Sequence, residues 1–189
     1  MPKNIFDTIR VNSKDQSRSY RWYQEQVKKL GRVTQNRLMN EVKETSRLSV
    51  GKMYLFAYNP KHKNTLPYYD VFPLVLPFRK MGEGFLGVNL HYLPYLVRFK
   101  TLGYLNDIAN DDTYDEATRV SLSWRMLESY SRLSPLKACV KHYLTNYLES
   151  GFYNIPYQDW VIASQLPVEN FKKMEKQDVW DITGKKYNG

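Results

Sequence analysis

Hydrophobic and polar positions change their rhythm twice along the chain. Over Asp15 to Leu30 (DQSRSYRWYQEQVKKL), Tyr20, Tyr23, Val27 and Leu30 recur at heptad-like spacing, which gathers them on one stripe of a helix that Gly31 can end. Arg18, Arg21, Lys28 and Lys29 fall mostly off that stripe. A weaker helical pattern over residues 34–46 centres on Leu38, Met39 and Val42. The first fifty residues therefore read as a basic helical arm, and residues 51–189 as a single α+β domain.

At Gly51 the period of the pattern shortens. Lys52 to Tyr58 (KMYLFAY) is apolar and aromatic and predicts a strand, followed by turn chemistry at Asn59-Pro60 and Lys61-His62-Lys63-Asn64. Asp70 to Phe78 (DVFPLVLPF) has strand composition, but Pro73 and Pro77 cannot donate ladder hydrogen bonds, which predicts a sheet edge or an extended packed segment. Gly82-Glu83-Gly84 leads into Phe85 to Leu90, so residues 71–92 predict a hairpin. The expected centre is a small antiparallel sheet.

The remainder reads as a helical C-terminal half. Pro94 to about Ile108 carries Leu96, Val97, Leu102 and Leu105. Thr113 and Glu116 form a capping box that opens a helix to about Leu133. Ser134-Pro135 predicts a further helix start, with Leu136, Val140, Tyr143, Leu144 and Tyr147 as its apolar stripe and Gly151 as its end. The last 38 residues are irregular, with a short apolar run from Trp160 to Ala163, a brief helix around Val168 to Met174 and a polar tail.

Composition and charge narrow the function classes. The 189 residues suffice for one packed core, and 42% hydrophobic residues, with 16 Tyr and 4 Trp, exclude a disordered polymer. The net charge of +9 is uneven: residues 1–50 carry 11 basic and 5 acidic side chains and supply +6 of it. Such a balance favours nucleic acid, an anionic surface or an acidic protein as partner. With Cys139 as the sole cysteine no intrachain disulfide exists, which suits a reducing cytoplasm. No stretch approaches the roughly 18–20 apolar residues of a membrane span, and the start lacks the apolar block of a signal peptide.

Catalytic constellations are sparse. His62, His91 and His142 are far apart and none has zinc-ligand spacing with Cys or another His, so neither metal nor other cofactor is expected. His91 ends a predicted strand. As a general base it needs Asp70 or Glu83 brought near by the hairpin, whereas its ordinary role is a histidine hydrogen-bonded within a sheet. Asp111, Asp112, Asp115 and Glu116 lack an EF-hand pattern and suit a helix N-terminus. Cys139 is expected on a helix as a buried small residue. No phosphate loop, dinucleotide fingerprint or nucleophile elbow is present. These readings predict a non-enzymatic protein with no small-molecule substrate.

The stronger candidate is the basic arm. Arg10, Lys14, Arg18, Arg21, Lys28, Lys29, Arg32 and Arg37 interleave with Trp22 and neighbouring tyrosines. Cations neutralise phosphates and exposed rings stack on bases or meet a protein partner. A second candidate set is aromatic: Tyr54, Tyr58, Tyr68 and Tyr69 belong to a run too rich in rings for polar strand faces, and tyrosine is enriched at interfaces.

The run GKMYLFAYNPKHKNTLPYYDVFPL at 51–74, then GFLGVNLHYL at 84–93 and a helical stretch around Tyr114-Asp115-Glu116, resembles a family of virion proteins from contractile-tailed bacteriophages. The likeness covers about residues 51–165 and leaves the arm outside. Such proteins are regarded as DNA-end protectors or as minor tail and baseplate parts. The resemblance implies assembly rather than turnover, carries over no catalytic residues, and places the chain in a virion assembled in the host cytoplasm. The leading expectation is a structural component packing against tail, baseplate or neck subunits, with other virion proteins as partners. The alternative is a DNA-end-binding protein of the head or neck.

Overall fold

The computed structural model describes residues 4–14, 18–109, 125 and 137–185. Apart from Arg125, helical and exposed, the expected 113–133 helix and the acidic cluster at 111–116 lie outside these residues.

The fold is α+β. Among the described residues its main sheet has six strands, β1 (Glu44–Thr45), β2 (Met53–Leu55), β4 (Leu74–Met81), β5 (Gly84–Asn89), β6 (Val140–Leu144) and β7 (Phe152–Ile155), in the spatial order β1-β7-β2-β4-β5-β6. All its pairings are antiparallel. A two-stranded sheet joins β3 (Tyr69–Asp70) to β8 (Phe171–Lys172). Among the described residues the helices are α1 (Ile5–Ser13), α2 (Tyr20–Lys29), α3 (Gln35–Glu41), α4 (Tyr95–Ala109), α5 (Trp160–Gln165) and α6 (Lys176–Lys185). None is long and apolar enough to cross a membrane.

The unbroken apolar run at 53–56 follows from a sheet buried on both faces. Along β2 and β4, Met53, Leu55, Leu74 and Leu76 enter one hydrophobic cluster, and Tyr54 and Val75, followed by Phe56 just past β2, enter another. This is the two-residue alternation of a strand, with apolar side chains on either side. The first cluster also takes residues from α1, α4, α5 and α6. The second is aromatic: Phe56 meets Tyr143, Phe152 and Phe85 edge-on, at ring centroid separations of 5.1, 5.5 and 5.9 Å.

The N-terminal helices are packed on this body. α1, which the periodicity did not suggest, is capped by Asn4, whose side chain accepts from the backbone of Phe6 and Asp7. Ile5, Phe6 and Ile9 of α1, Val27 of α2, Leu38 of α3 and Val42 join the cluster that holds Leu74 and Val88. α2 begins at Tyr20, capped by Ser19, and the chain leaves it through Gly31 at φ +68°. Gln24 donates to Gln165 at 2.7 Å, and Gln35 donates to the Val168 carbonyl.

Three expectations are corrected. Pro77 does not confine its strand to an edge: β4 lies between β2 and β5. It is tolerated because the part of β4 that pairs with β2 is Leu74 and Val75, short of Pro77, and because the β4–β5 register shifts between Pro77 and Arg79. Of the helix expected from Ser134 to Gly151, the start at 134–136 lies outside the described residues, and Val140–Tyr147 is instead strand β6 followed by a 3-10 turn at Thr145–Tyr147, since Val140 to Leu144 pair along the whole of Gly84 to Val88. Cys139 accordingly sits in a turn before β6, fully buried. The brief helix expected at 168–174 is replaced by β8, after which Lys173 adopts φ +67°.

Candidate nucleic-acid interface

The basic residues of the first quarter divide by what holds them. Arg10 pairs with Asp7 and approaches Asp159 at 3.3 Å. Arg18 donates to the Ser13 carbonyl and lies 5.7 Å from the Trp22 ring centroid. Arg21 and Arg37 make i,i+4 pairs with Glu25 and Glu41. Lys14 caps α1 in the left-handed region and is exposed. Lys28, Lys29 and Arg32 are exposed and have no ion pair among the described residues. They cluster at the C-terminal end of α2, where cations also suit the helix dipole. Trp22 is half-buried, stacked edge-on against Tyr23 at 5.1 Å and packed on the core.

The four candidate tyrosines separate as well. Tyr54 is buried in the aromatic cluster, and its hydroxyl accepts from the Ser49 backbone. Tyr58, Tyr68 and Tyr69 are brought together around a cleft of about 380 Å³, whose lining also includes Lys61, His62, Tyr92, Lys141, His142 and Tyr143. One wall is the loop after β2 and the other is β6. Tyr58 is mostly buried, edge-on to Tyr143 at 5.0 Å, and accepts from the Leu144 amide. Tyr68 and Tyr69 are half-buried, while Lys61, His62 and His142 are exposed. Lys141 holds its ammonium 4.1 Å from the Tyr92 ring centroid. Burial raises the phenols of Tyr58, Tyr68 and Tyr92, so these rings stay neutral.

Beneath the cleft, Asp70 is saturated with donors. Its carboxylate accepts from the backbone of Phe72 and Asn170, from Asn89, and from His91 Nδ1 at 2.8 Å. His91 is fully buried, and among the described residues its Nε2 has no hydrogen-bond partner. The partner foreseen for a general base is therefore present, but no surface of His91 is open to a substrate. Its neighbour Arg98, likewise fully buried, donates to the carbonyls of His91, Leu93 and Ser164. Burial lowers its affinity for a proton, opposed by Glu169. Burial also disfavours charge on Glu169, yet Arg98, His91, Tyr95 and Lys176 outweigh it and bring the carboxyl down to about 2. Cys139 is inert: burial pushes its thiol up to about 12. Among the described residues no three His, Cys, Asp or Glu side chains converge as metal ligands.

Sequence reasoning placed Tyr58, Tyr68 and Tyr69 among the interface residues but missed Lys61, His62, Lys141 and His142, which come from segments about eighty residues apart. The missed signal was the turn sequence Lys61-His62-Lys63, read only as a connector. Arg98 and Glu169 were also missed, since nothing in their local sequence distinguishes them from surface charges.

The sequence matches the profile of the family described as Phage T4 terminal DNA protecting protein over residues 3–182. The match takes in the basic first quarter as well as the 51–165 region. It supports the DNA-end alternative better than a tail or baseplate role. No curated protein and no solved structure matches the chain. Nearly the whole sequence is covered, and the chain belongs to the Phage T4 terminal DNA protecting protein family.

Proposed function

We propose that this protein binds the ends of linear phage DNA in the virion and shields them from exonucleases by occupancy, without catalysing a reaction. The observation that carries this reading is the family match running from residue 3 to residue 182, through both the basic helices and the sheet. The charge distribution agrees with it. Lys28, Lys29 and Arg32 stand exposed, as do Lys14 and Arg21 of the same +6 segment, and supply sequence-independent attraction to phosphates. The buried charges, Asp70, Arg98 and Glu169, are engaged inside the protein and make structure rather than chemistry. Other virion proteins are its further partners, holding it where the DNA terminus lies.

The test is protection. Linear duplex DNA is digested with a duplex-specific exonuclease with and without the purified chain. The lifetime of full-length DNA lengthens with protein concentration, and an excess of covalently closed circular DNA does not abolish the effect. Digestion at an unchanged rate at saturating protein would overturn the proposal.

A further inference from the structure

We propose that the cleft between the loop at 60–66 and strand β6 receives the terminal nucleotide of the DNA, its base against Tyr68 and Tyr69 and its phosphate against Lys61, His62 and His142. This assignment rests on the DNA-end reading and gives it a site. At about 380 Å³ the cleft is at the small end of the roughly 300–1,000 Å³ of small-ligand pockets. A single nucleotide fits that scale, whereas a duplex, with a major groove of about 12 Å, does not. A pocket of this size favours an end, since a terminal nucleotide leaves the stack by giving up one stacking neighbour whereas an interior one must be flipped out from between two.

The lining has the chemistry of a nucleotide site. Rings provide sequence-tolerant stacking, and cations follow the backbone phosphate. Half-buried Tyr68 and Tyr69 retain ring surface, while buried Tyr58, Tyr92 and Tyr143 fix the walls. The carboxylate among the lining residues is Asp70, and the four donors that it accepts from draw its charge inward. Exposed Lys61 then sets the sign at the mouth, where the rings of exposed His62 and His142 offer hydrogen-bond donors.

The loop is also held in place before any ligand arrives. Lys173, across the small sheet, donates to the carbonyls of Lys63, Asn64 and Leu66 at 2.6, 3.0 and 2.9 Å. Within the loop, Thr65 and Leu66 donate their amides to the His62 carbonyl. A wall fixed by three carbonyl contacts to one ammonium loses little freedom when it closes on a nucleotide.

Fluorescence anisotropy with the full chain tests this. One probe is a labelled hairpin duplex with a single open, 5′-phosphorylated end; the other is a dumbbell of the same sequence closed at both ends. The variants are Tyr68→Ala/Tyr69→Ala and, on exposed positions that leave the core untouched, Lys61→Glu/His142→Glu. Both are expected to lose about tenfold or more in affinity for the open hairpin, the order of one stacked base, while dumbbell binding changes less than twofold. Variants that keep the wild-type preference for the open end overturn the cleft and leave the DNA-end reading standing. A wild-type chain that binds hairpin and dumbbell equally overturns both. If the tyrosine variant misfolds, the charge-reversal variant decides.

Discussion

At the scale of single residues, the protein buries charge and satisfies it with specific hydrogen-bond partners. Arg98 donates to three backbone carbonyls and lies 3.8 Å from Glu169, whose side chain is 1% exposed. Removing the guanidinium leaves Glu169 with Tyr95 and Lys176 but takes the donor from three carbonyls, so Arg98→Met is expected to destabilise the fold by about 3 kcal/mol in urea denaturation. Glu169 adds a pH signature. Because its folded carboxyl titrates near 2, below the ordinary 4.5, its contribution is fully present above pH of about 5 and is lost as pH falls toward 2. Glu169→Gln should therefore flatten the fall in stability between those limits, by roughly 2–3 kcal/mol, in urea midpoints measured across pH. An unchanged acid slope would mean that the ion cluster is not coupled to folding. The pairing of His91 with Asp70 was one of two options legible in the sequence, because the hairpin joins their segments. Arg98 and Glu169, 71 residues apart, meet only when α4 packs against the chain beyond α5, and no local spacing announces that.

At the scale of elements, the strands and the hairpin were readable wherever local pattern and tertiary pairing agreed. Met53 to Leu55, the Gly82-Glu83 turn and α4 are of this kind. β6 was misread because Leu136, Val140, Tyr143, Leu144 and Tyr147 fit a helical stripe while Val140-Lys141-His142-Tyr143-Leu144 also suits a strand. Pairing with β5 decides between them. α1 was missed because nine residues with Ile5, Phe6 and Ile9 give too short a window, and its burial against the sheet supplies what its propensity lacks. The β5–β6 contact makes a sharp forecast. A Cβ at Gly84 would lie 1.9 Å from the Tyr143 carbonyl oxygen, and one at Gly87 would lie 2.3 Å from a Val75 methyl. Gly84→Ala meets rigid backbone and should reach or exceed the top of the roughly 1–3 kcal/mol of an overpacked site. Gly87→Ala meets a side chain and should cost less, as thermal unfolding of the two variants will show. Equal stability of the two would mean that β6 is not seated on Gly84 as described.

At the scale of the whole molecule, the basic first quarter and the aromatic sheet are parts of one packed structure, since helices from both sides of residue 50 share a hydrophobic cluster. The α+β class and the uneven charge were legible in the sequence, and so was the family resemblance in its central motifs. The wider extent of the family, from residue 3, was not, because helical basic segments look alike across unrelated proteins. On the account given, DNA affinity is electrostatic at the first quarter and end-selective at the cleft. Lys28→Glu/Lys29→Glu/Arg32→Glu should reduce the salt slope of DNA binding by about three, one for each lost phosphate contact, for open and closed duplexes alike. An unchanged slope would remove these cations from the interface.

Occupancy of DNA ends has a direct readout in where along the DNA the protein sits. Hydroxyl-radical footprinting of an end-labelled linear duplex, at protein concentrations just sufficient for binding, reads position along the DNA directly. The account predicts protection confined to the nucleotides at each terminus, with the interior cleaved as in free DNA; protection spread evenly along the duplex would contradict it.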